Sequence, residues 1–270
     1  MPSAIQEIQS GERFSFGKNW ASFLETLDDS RVEIAVQSLR DLLGVESLKG
    51  KRFLDIGSGS GLFSLAARKL GADVTSFDFD PASVSCAEKL RGRFDSEPTR
   101  WTILQGSALD EAFLKSLGQF DVVYSWGVLH HTGDMWRALD LVTHNVMPGG
   151  TLAIAIYNDQ GWQSGAWRRV KEIYCSGLFG RIAMKMVFYP WFAIRTTLVS
   201  ILRGRNEFAG YRRHRGMSIT HDWDDWLGGL PFEVAGYQQL IDFYQQRGFA
   251  FRHGKQTRRL GCHELVFRKG

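Results

Sequence analysis

The sequence predicts an α/β chain whose sheet is mostly parallel, with helices on both faces. Two observations carry that class. Between residues 52 and 157, short apolar strand-like runs and helical runs alternate four to five times; such alternation at short spacing packs as a parallel sheet between helical layers. The first strand also runs straight into a glycine-rich turn and then a helix, at residues 53–61 and onward from Leu62. With 270 residues, 44% of them apolar and 13% aromatic, the chain buries a full core, which excludes disorder for most of its length.

The elements follow in order. Residues 29–44 repeat apolar side chains at a helical period (Val32, Ile34, Ala35, Val36, Leu39, Leu42, Leu43), and Gly44 stops them. Residues 52–56 are a strand, 62–70 a helix closed by Gly71, 73–77 a strand, 81–90 a helix and 101–104 a strand. A short helix at 111–117, a strand at 120–126, a helix at 135–145 and a strand at 150–157 complete the alternation. It then stops. Residues 160–235 hold five of the nine Trp and a long apolar stretch, 178–202, in which Pro190 predicts a kink or a break into two helices. Order returns with a helix at 237–246 and strands at 249–253 and 264–267. The expected organisation is an N-terminal helical cap (1–50), a core (51–158), an insertion (159–235) and a C-terminal return to the sheet (236–270).

Charge is uneven. Residues 160–215 carry eleven Lys and Arg against Glu172 and Glu207, although the whole chain is only +4. Such a block speaks of a partner or a surface rather than of the fold. The three cysteines include no C-x-x-C pair, so neither a zinc knuckle nor a redox motif is expected, and sparse thiols suit a reducing compartment. The first ten residues have no basic n-region and no apolar h-region, and no uncharged run reaches bilayer length. A cytoplasmic location is the expectation, with peripheral membrane contact as an alternative.

The sharpest motif is Asp55-Ile-Gly57-Ser58-Gly59-Ser-Gly61. Glycines between a strand and a helix allow a tight turn and close approach of a ligand to backbone N–H groups. The dinucleotide fingerprint fails, because Leu62 stands where its third glycine belongs, and the G-x-x-x-x-G-K-[ST] phosphate loop is absent. An acid two residues before the first glycine suits a ligand with an amino group and a sulfonium better than a pyrophosphate. A plain βα turn would need one glycine rather than three. Asp78, seventeen residues after Gly61, ends the second strand, where a carboxylate would hold a ribose diol.

These residues resemble motif I and its companions in the class I S-adenosylmethionine-dependent methyltransferases. Asp78 matches that family's ribose-binding acid. Gly106-Ser107-Ala108 matches the loop flanking the adenine, although the family often has Asp where Ser107 stands. Residues 120–131 resemble the fourth strand and its loop, and 147–152 the turn into the fifth strand. The likeness covers residues 50–158 well and 236–270 loosely, and is nearest the small-molecule branch that includes ubiquinone-biosynthesis O-methyltransferases. It implies a Rossmann-like, doubly wound, seven-stranded sheet with a helical insertion after the fifth strand. It also implies S-adenosyl-L-methionine as cofactor, held by Asp55, Gly57, Ser58, Gly59, Gly61, Asp78, Phe79, Ser107, Ala108 and Trp126.

Three groups are candidates for the rest of the chemistry. His130 and His131 follow the fourth strand, where neighbouring extended residues would point opposite ways. The bland reading makes both structural; if one is a base, it is His131. Residues 220–226 gather His221, Asp222, Asp224, Asp225, Trp223 and Trp226. They read either as an acceptor site with His221 or Asp222 as base, or as a helix start with acids in its first turn; a divalent ion on the three acids is a minority reading, and no metal is expected. Residues 14–20 suit a flap in which Trp20 closes over the cofactor, or an aromatic staple.

The insertion decides the acceptor. It reads first as a helical lid with solvated arginines over a small molecule, second as a membrane contact and third as an RNA contact; no RNA-binding module is recognisable, so nucleic acid is not the expected partner. The expected reaction is in-line methyl transfer to an oxygen of a small molecule. The alternatives are N- or C-methylation, or a non-catalytic partner or sensor that binds the cofactor.

Overall fold

The computed structural model describes residues 24, 27–95, 97–204 and 219–270, without the side chains of 98, 203, 219–222 and 225. Trp20 and the expected flap lie outside the described residues.

The sheet has seven strands: β1 (Arg52–Ile56), β2 (Asp73–Asp78), β3 (Trp101–Gln105), β4 (Phe120–Trp126), β5 (Val146–Tyr157), β6 (Phe249–Lys255) and β7 (Cys262–Lys269). Their order is β3-β2-β1-β4-β5-β7-β6. Pairs among the first five are parallel, and β7 runs antiparallel between β5 and β6. The order reverses between β1 and β4. In an open α/β sheet the crevice at such a switch point, beyond the carboxyl ends of the strands, is where ligands bind.

Two helical layers cover the sheet. On one face lie α1 (Asp29–Leu43), α2 (Leu62–Lys69) and α3 (Pro81–Phe94), packed on Phe53, Val74, Trp101, Val122 and Tyr124. On the other lie α4 (Glu111–Leu117), α5 (Met135–Leu141) and, after the insertion, α9 (Tyr237–Gln245), packed on Leu54, Ile56, Val123, Ile154 and Phe267. Alternation along β1 sends Phe53 and Asp55 toward α2, and Leu54 and Ile56 the other way. Asp28 caps α1 by accepting from Arg31 N–H at 3.0 Å, and Gly44 ends the helix at φ 64°.

The residues between β5 and α9 form a separate helical group: α6 (Trp162–Cys175), α7 (Leu178–Arg203) and α8 (Ile219–Gly228). Its own small core is Tyr174, Phe192 and Leu227. The two ends of this group are clipped together, with Ala235 N–H donating to Tyr157 O at 3.0 Å and Asp159 N–H to Ala235 O at 3.1 Å. The sheet therefore resumes where it was interrupted.

Two sequence expectations need correction. Pro190 does not divide the apolar stretch, since α7 is one helix of 26 residues with Pro190 inside it. Proline removes one N–H donor, and the bonds on either side, with Phe188 and Phe192 packed against α6 and α8, hold the helix together. The helix expected over 135–145 ends at Leu141 and tightens into a 3₁₀ turn, Val142–Asn145.

Candidate active site

The glycine loop is built from short-range geometry. Gly57 has φ 74° and Gly61 φ 81°, a left-handed region that other residues occupy at a cost. A Cβ on Gly57 would also lie 2.3 Å from the Val128 side chain. Gly57 and Ser58 N–H both donate to Phe77 O, at 2.8 and 3.1 Å, which fastens the loop to β2. No side chain caps α2, whose N-terminal N–H groups are thus available to a ligand.

Asp78 ends β2 half-buried beneath this loop. Its Oδ2 accepts from Gly59 N–H at 2.8 Å and its Oδ1 from Asp80 N–H at 2.9 Å. Each carboxylate oxygen keeps a second lone pair, so the group can still accept from a diol. Burial pushes its pKa up to about 6 against the pull of those two N–H donors. Asp55 lies deeper, fully buried on β1, with Oδ2 accepting from Ser64 Oγ of α2 at 2.6 Å. Burial raises it to about 7, with Asp78 adding to the rise. The structure thus puts Asp55 under the loop, between loop and helix.

Polar atoms without partners mark the same place. Ser58 Oγ and Tyr124 Oη are buried and unbonded; such groups normally find a partner in the protein, in water or in a ligand. Tyr124 is the cross-strand neighbour of Asp55, and its ring stacks on Trp126 at 5.5 Å. Next to Asp78, Phe79 is half-buried at the head of the β2–α3 turn. Beyond β3, Gly106 N–H donates to Asp78 O at 3.0 Å. Ser107 Oγ accepts from Leu109 N–H at 3.1 Å, so its hydroxyl is turned into its own loop, and Ala108 packs into the core. What these two can offer a ligand is mainly backbone. A glycine cradle, a diol-facing carboxylate and orphaned hydroxyls fit a nucleoside-type ligand bearing a cationic end.

The loop after β4 joins this cradle to the insertion. Val128 abuts Gly57, and the next residues form a 3₁₀ turn, Leu129–His131. The turn overturns the expectation that the two histidines diverge: their rings lie 4.4 Å apart, and both pack on Tyr157, at 3.9 and 5.3 Å. His130 is fully buried. Its Nδ1 accepts from Tyr157 N–H at 3.4 Å, Nε2 is unbonded, and burial drives its pKa well below the usual value. His131 Nδ1 lies 2.6 Å from Pro231 O. A carbonyl only accepts, so Nδ1 carries the proton and Nε2 is the basic nitrogen.

Residues 230–235 are stitched to that turn. Glu233 N–H donates to His130 O at 3.0 Å, and the Glu233 carboxylate accepts from Gly133 and Met135 N–H, each at 3.1 Å. Against the end of β5 lies a small recess lined by Tyr157, Asn158, Trp167, Trp226, Phe232 and Leu260, among others. The buried Lys171 underlies its wall, 5.4 Å from the Trp226 ring and 5.0 Å from the Phe232 ring, and bonds to Trp226 O.

The acidic cluster of α8 divides. His221 and Asp222 lie in its first turns, and their side chains are outside the described residues. Asp224 is a tie between helices: its Oδ1 accepts from Tyr174 Oη of α6 and Tyr189 Oη of α7, both at 2.8 Å, and Lys185 Nζ pairs with it at 2.8 Å. Those partners hold its carboxyl below the usual range against the cost of burial. The divalent-ion reading also needs the side chains of Asp222 and Asp225, which lie outside the described residues. Among the described residues no group of three His, Cys, Asp or Glu could hold a metal ion.

Residues 54–152 match the family model described as a methyltransferase domain. Those residues form a methyltransferase domain. The ubiquinone biosynthesis O-methyltransferase of Cereibacter sphaeroides is 32% identical over 132 residues, 49% of this chain and 51% of that one. The protein of the same name from Xylella fastidiosa is 31% identical over 171 residues, 58% of this chain and 65% of that one. The match thus spans about half to two-thirds of these relatives. The magnesium protoporphyrin IX methyltransferase of Synechocystis, solved with bound S-adenosylhomocysteine, has the same fold, with a TM-score of 0.54 at 13% identity over 89% of this chain and 84% of that one. For the methyltransferase domain, S-adenosylmethionine is the cofactor, and the cradle described above suits it.

Sequence reasoning missed Tyr157, Trp167, Phe232 and Glu233. Tyr157, as the last residue of a strand at the ligand edge, carried a readable signal. The others come together only through the insertion's return to the sheet.

Proposed function

We propose that the protein methylates an oxygen of a small aromatic or amphiphilic molecule held against the end of β5, beside a recess of about 10 Å³ that has room for a water and not for the acceptor itself. The observation that carries this reading is the β4 loop, which touches Gly57 of the cradle through Val128 and Tyr157 of the recess through the two histidines. A single turn therefore spans donor and acceptor sites. When bound, S-adenosylmethionine supplies a methyl group made electrophilic by its sulfonium. The uncapped N–H groups at the start of α2 and the Ser58 hydroxyl hold its amino-acid end, where the glycine turn lets it approach. Asp78 takes the ribose hydroxyls, with Phe79, Ser107, Ala108 and Trp126 around the nucleoside. Asp55 lends negative charge from beneath the loop.

A hydroxyl acceptor must shed a proton as its oxygen attacks. His131 Nε2 takes that proton, and the Pro231 carbonyl keeps Nδ1–H in place and steadies the imidazolium. The aromatic walls exclude water and fix the acceptor's plane. The names of the matched O-methyltransferases favour oxygen over nitrogen or carbon.

The test is an acceptor screen with isotope-labelled cofactor, read by mass spectrometry, on wild type, His131→Ala and His131→Asn. Asparagine can still donate to Pro231 O but cannot accept a proton. Both variants are expected to lose about 10²-fold in kcat with cofactor affinity unchanged. Recovery of kcat in His131→Asn would reduce His131 to a positioning residue. Cofactor binding with no turnover on any hydroxylated acceptor would favour the sensor reading.

A further inference from the structure

The helix α7 contributes no side chain to the recess, yet it carries the largest apolar face left uncovered among the described residues. Val187, Trp191, Ile194, Leu198 and Ile201 follow one another at steps of four and three residues, which places them in one stripe. Their exposures are 60, 45, 60, 55 and 70%. Met186 and Leu202, also exposed, widen the stripe. The opposite side of the helix is occupied: Phe188, Tyr189 and Phe192 pack against Trp167 of α6 and Trp223 of α8, and Lys185 is tied to Asp224. A soluble surface seldom leaves so long an apolar row to water without a partner for it.

We propose that this face of α7 lies on an anionic lipid bilayer. Charge decides between a bilayer and a second copy of the chain. From Ile173 to Gly204 there is no Asp or Glu, and Arg195 is the cation beside the stripe, since Lys185 is already paired with Asp224 on the other side of the helix. By helical position Arg195 borders the stripe, so its stem can run along the apolar surface with the guanidinium raised toward phosphate. Two such faces brought together would set Arg195 near its own copy with no acid of the stripe between them, whereas an anionic surface attracts a cation near the headgroups by about 1 kcal/mol. The helix does not span: among the described residues no helix is long and apolar enough to cross a membrane. It would lie flat, its aromatic and aliphatic side chains at the boundary of headgroup and acyl chain.

The probe is co-sedimentation of the full chain with phosphatidylcholine vesicles, with and without about one-third phosphatidylglycerol. The wild type is expected to pellet only with the anionic vesicles, its bound fraction falling several-fold between about 50 and 300 mM salt. Trp191→Glu with Leu198→Glu should lower binding at least tenfold, and Arg195→Glu about threefold to fivefold. Calorimetric affinity for S-adenosylmethionine should be unchanged in all three proteins, which shows that the variants fold. A wild type that stays in the supernatant with both vesicles overturns the proposal. So does a dimer by light scattering that the double glutamate variant splits while vesicle binding is absent, since the face would then belong to a second copy.

Discussion

The glycine-loop half of the site and the insertion half are assembled over different distances in the chain. In the first, the bonds are short in sequence: Asp55 to Ser64 spans nine residues, Asp78 to Gly59 nineteen and Asp78 to Asp80 two. In the second, Asp224 reaches Tyr189 across 35 residues and Tyr174 across 50, and His131 reaches Pro231 across 100. The cradle exists once β1, β2 and α2 have folded. The recess exists only after the chain has left the sheet, built three helices and returned. Their electrostatics differ in the same way. The carboxylates of the cradle are buried short of cations and pushed up, whereas the carboxylate of the insertion faces an ammonium and two phenols and is pulled down.

The largest expected break in this comparison is Gly57→Val. Its φ of 74° and the 2.3 Å approach to Val128 leave no room for a branched side chain. Cofactor affinity by calorimetry should fall by at least about 10²-fold, with the strain of a left-handed β-branched residue alone costing on the order of 1–2 kcal/mol. The acceptor side beside the recess, formed elsewhere, should remain intact to an acceptor analogue.

Asp224→Asn probes the other half. It removes the charge that Lys185 and two tyrosines share, at a cost of about 1–3 kcal/mol for a half-exposed charged group. Loss of acceptor methylation with unchanged cofactor affinity is the expected outcome. Equal loss of both would mean that the halves fold as one unit. Protease sensitivity within α6–α8 gives the same answer without a substrate.

A pH series sharpens the contrast at the smallest effect size. Asp78 and Asp55 titrate near 6 and 7 in the folded protein, against about 3.9 when unfolded. Between about pH 4 and 7 the folded form therefore holds more protons, so these two groups favour folding at the acid end and lose that contribution as pH rises through 6 and 7. A cationic ligand needs them ionised, so S-adenosylmethionine affinity should rise several-fold from pH 5 to 7.5. Asp224 has the opposite sign: its folded pKa lies below the unfolded one, and its contribution is present above about pH 4 and lost as pH falls further. Cofactor affinity that is flat over pH 5 to 7.5 would remove the carboxylates from the binding role.

What the sequence by itself determined was everything written in local periodicity and turn chemistry. The sheet's strands and most helices, the glycine loop, and the placing of Asp78 at a strand end were legible because the forces that make them act over a few residues. Serine 107 already departed from the family pattern in sequence, and its bond to Leu109 explains what its hydroxyl does instead. Tertiary structure alone decided the rest. It turned His130 and His131 to the same side, because a 3₁₀ turn rather than an extended segment carries them. It made Asp224 a tie between Tyr174, Tyr189 and Lys185, and kept α7 whole across Pro190. It brought Phe232 to the recess, and Glu233 to the backbone of Gly133 and Met135 from about a hundred residues further along the chain. Contacts of that span leave no period or spacing behind them in the chain; they arise only when burial of separate apolar faces brings distant segments into one core.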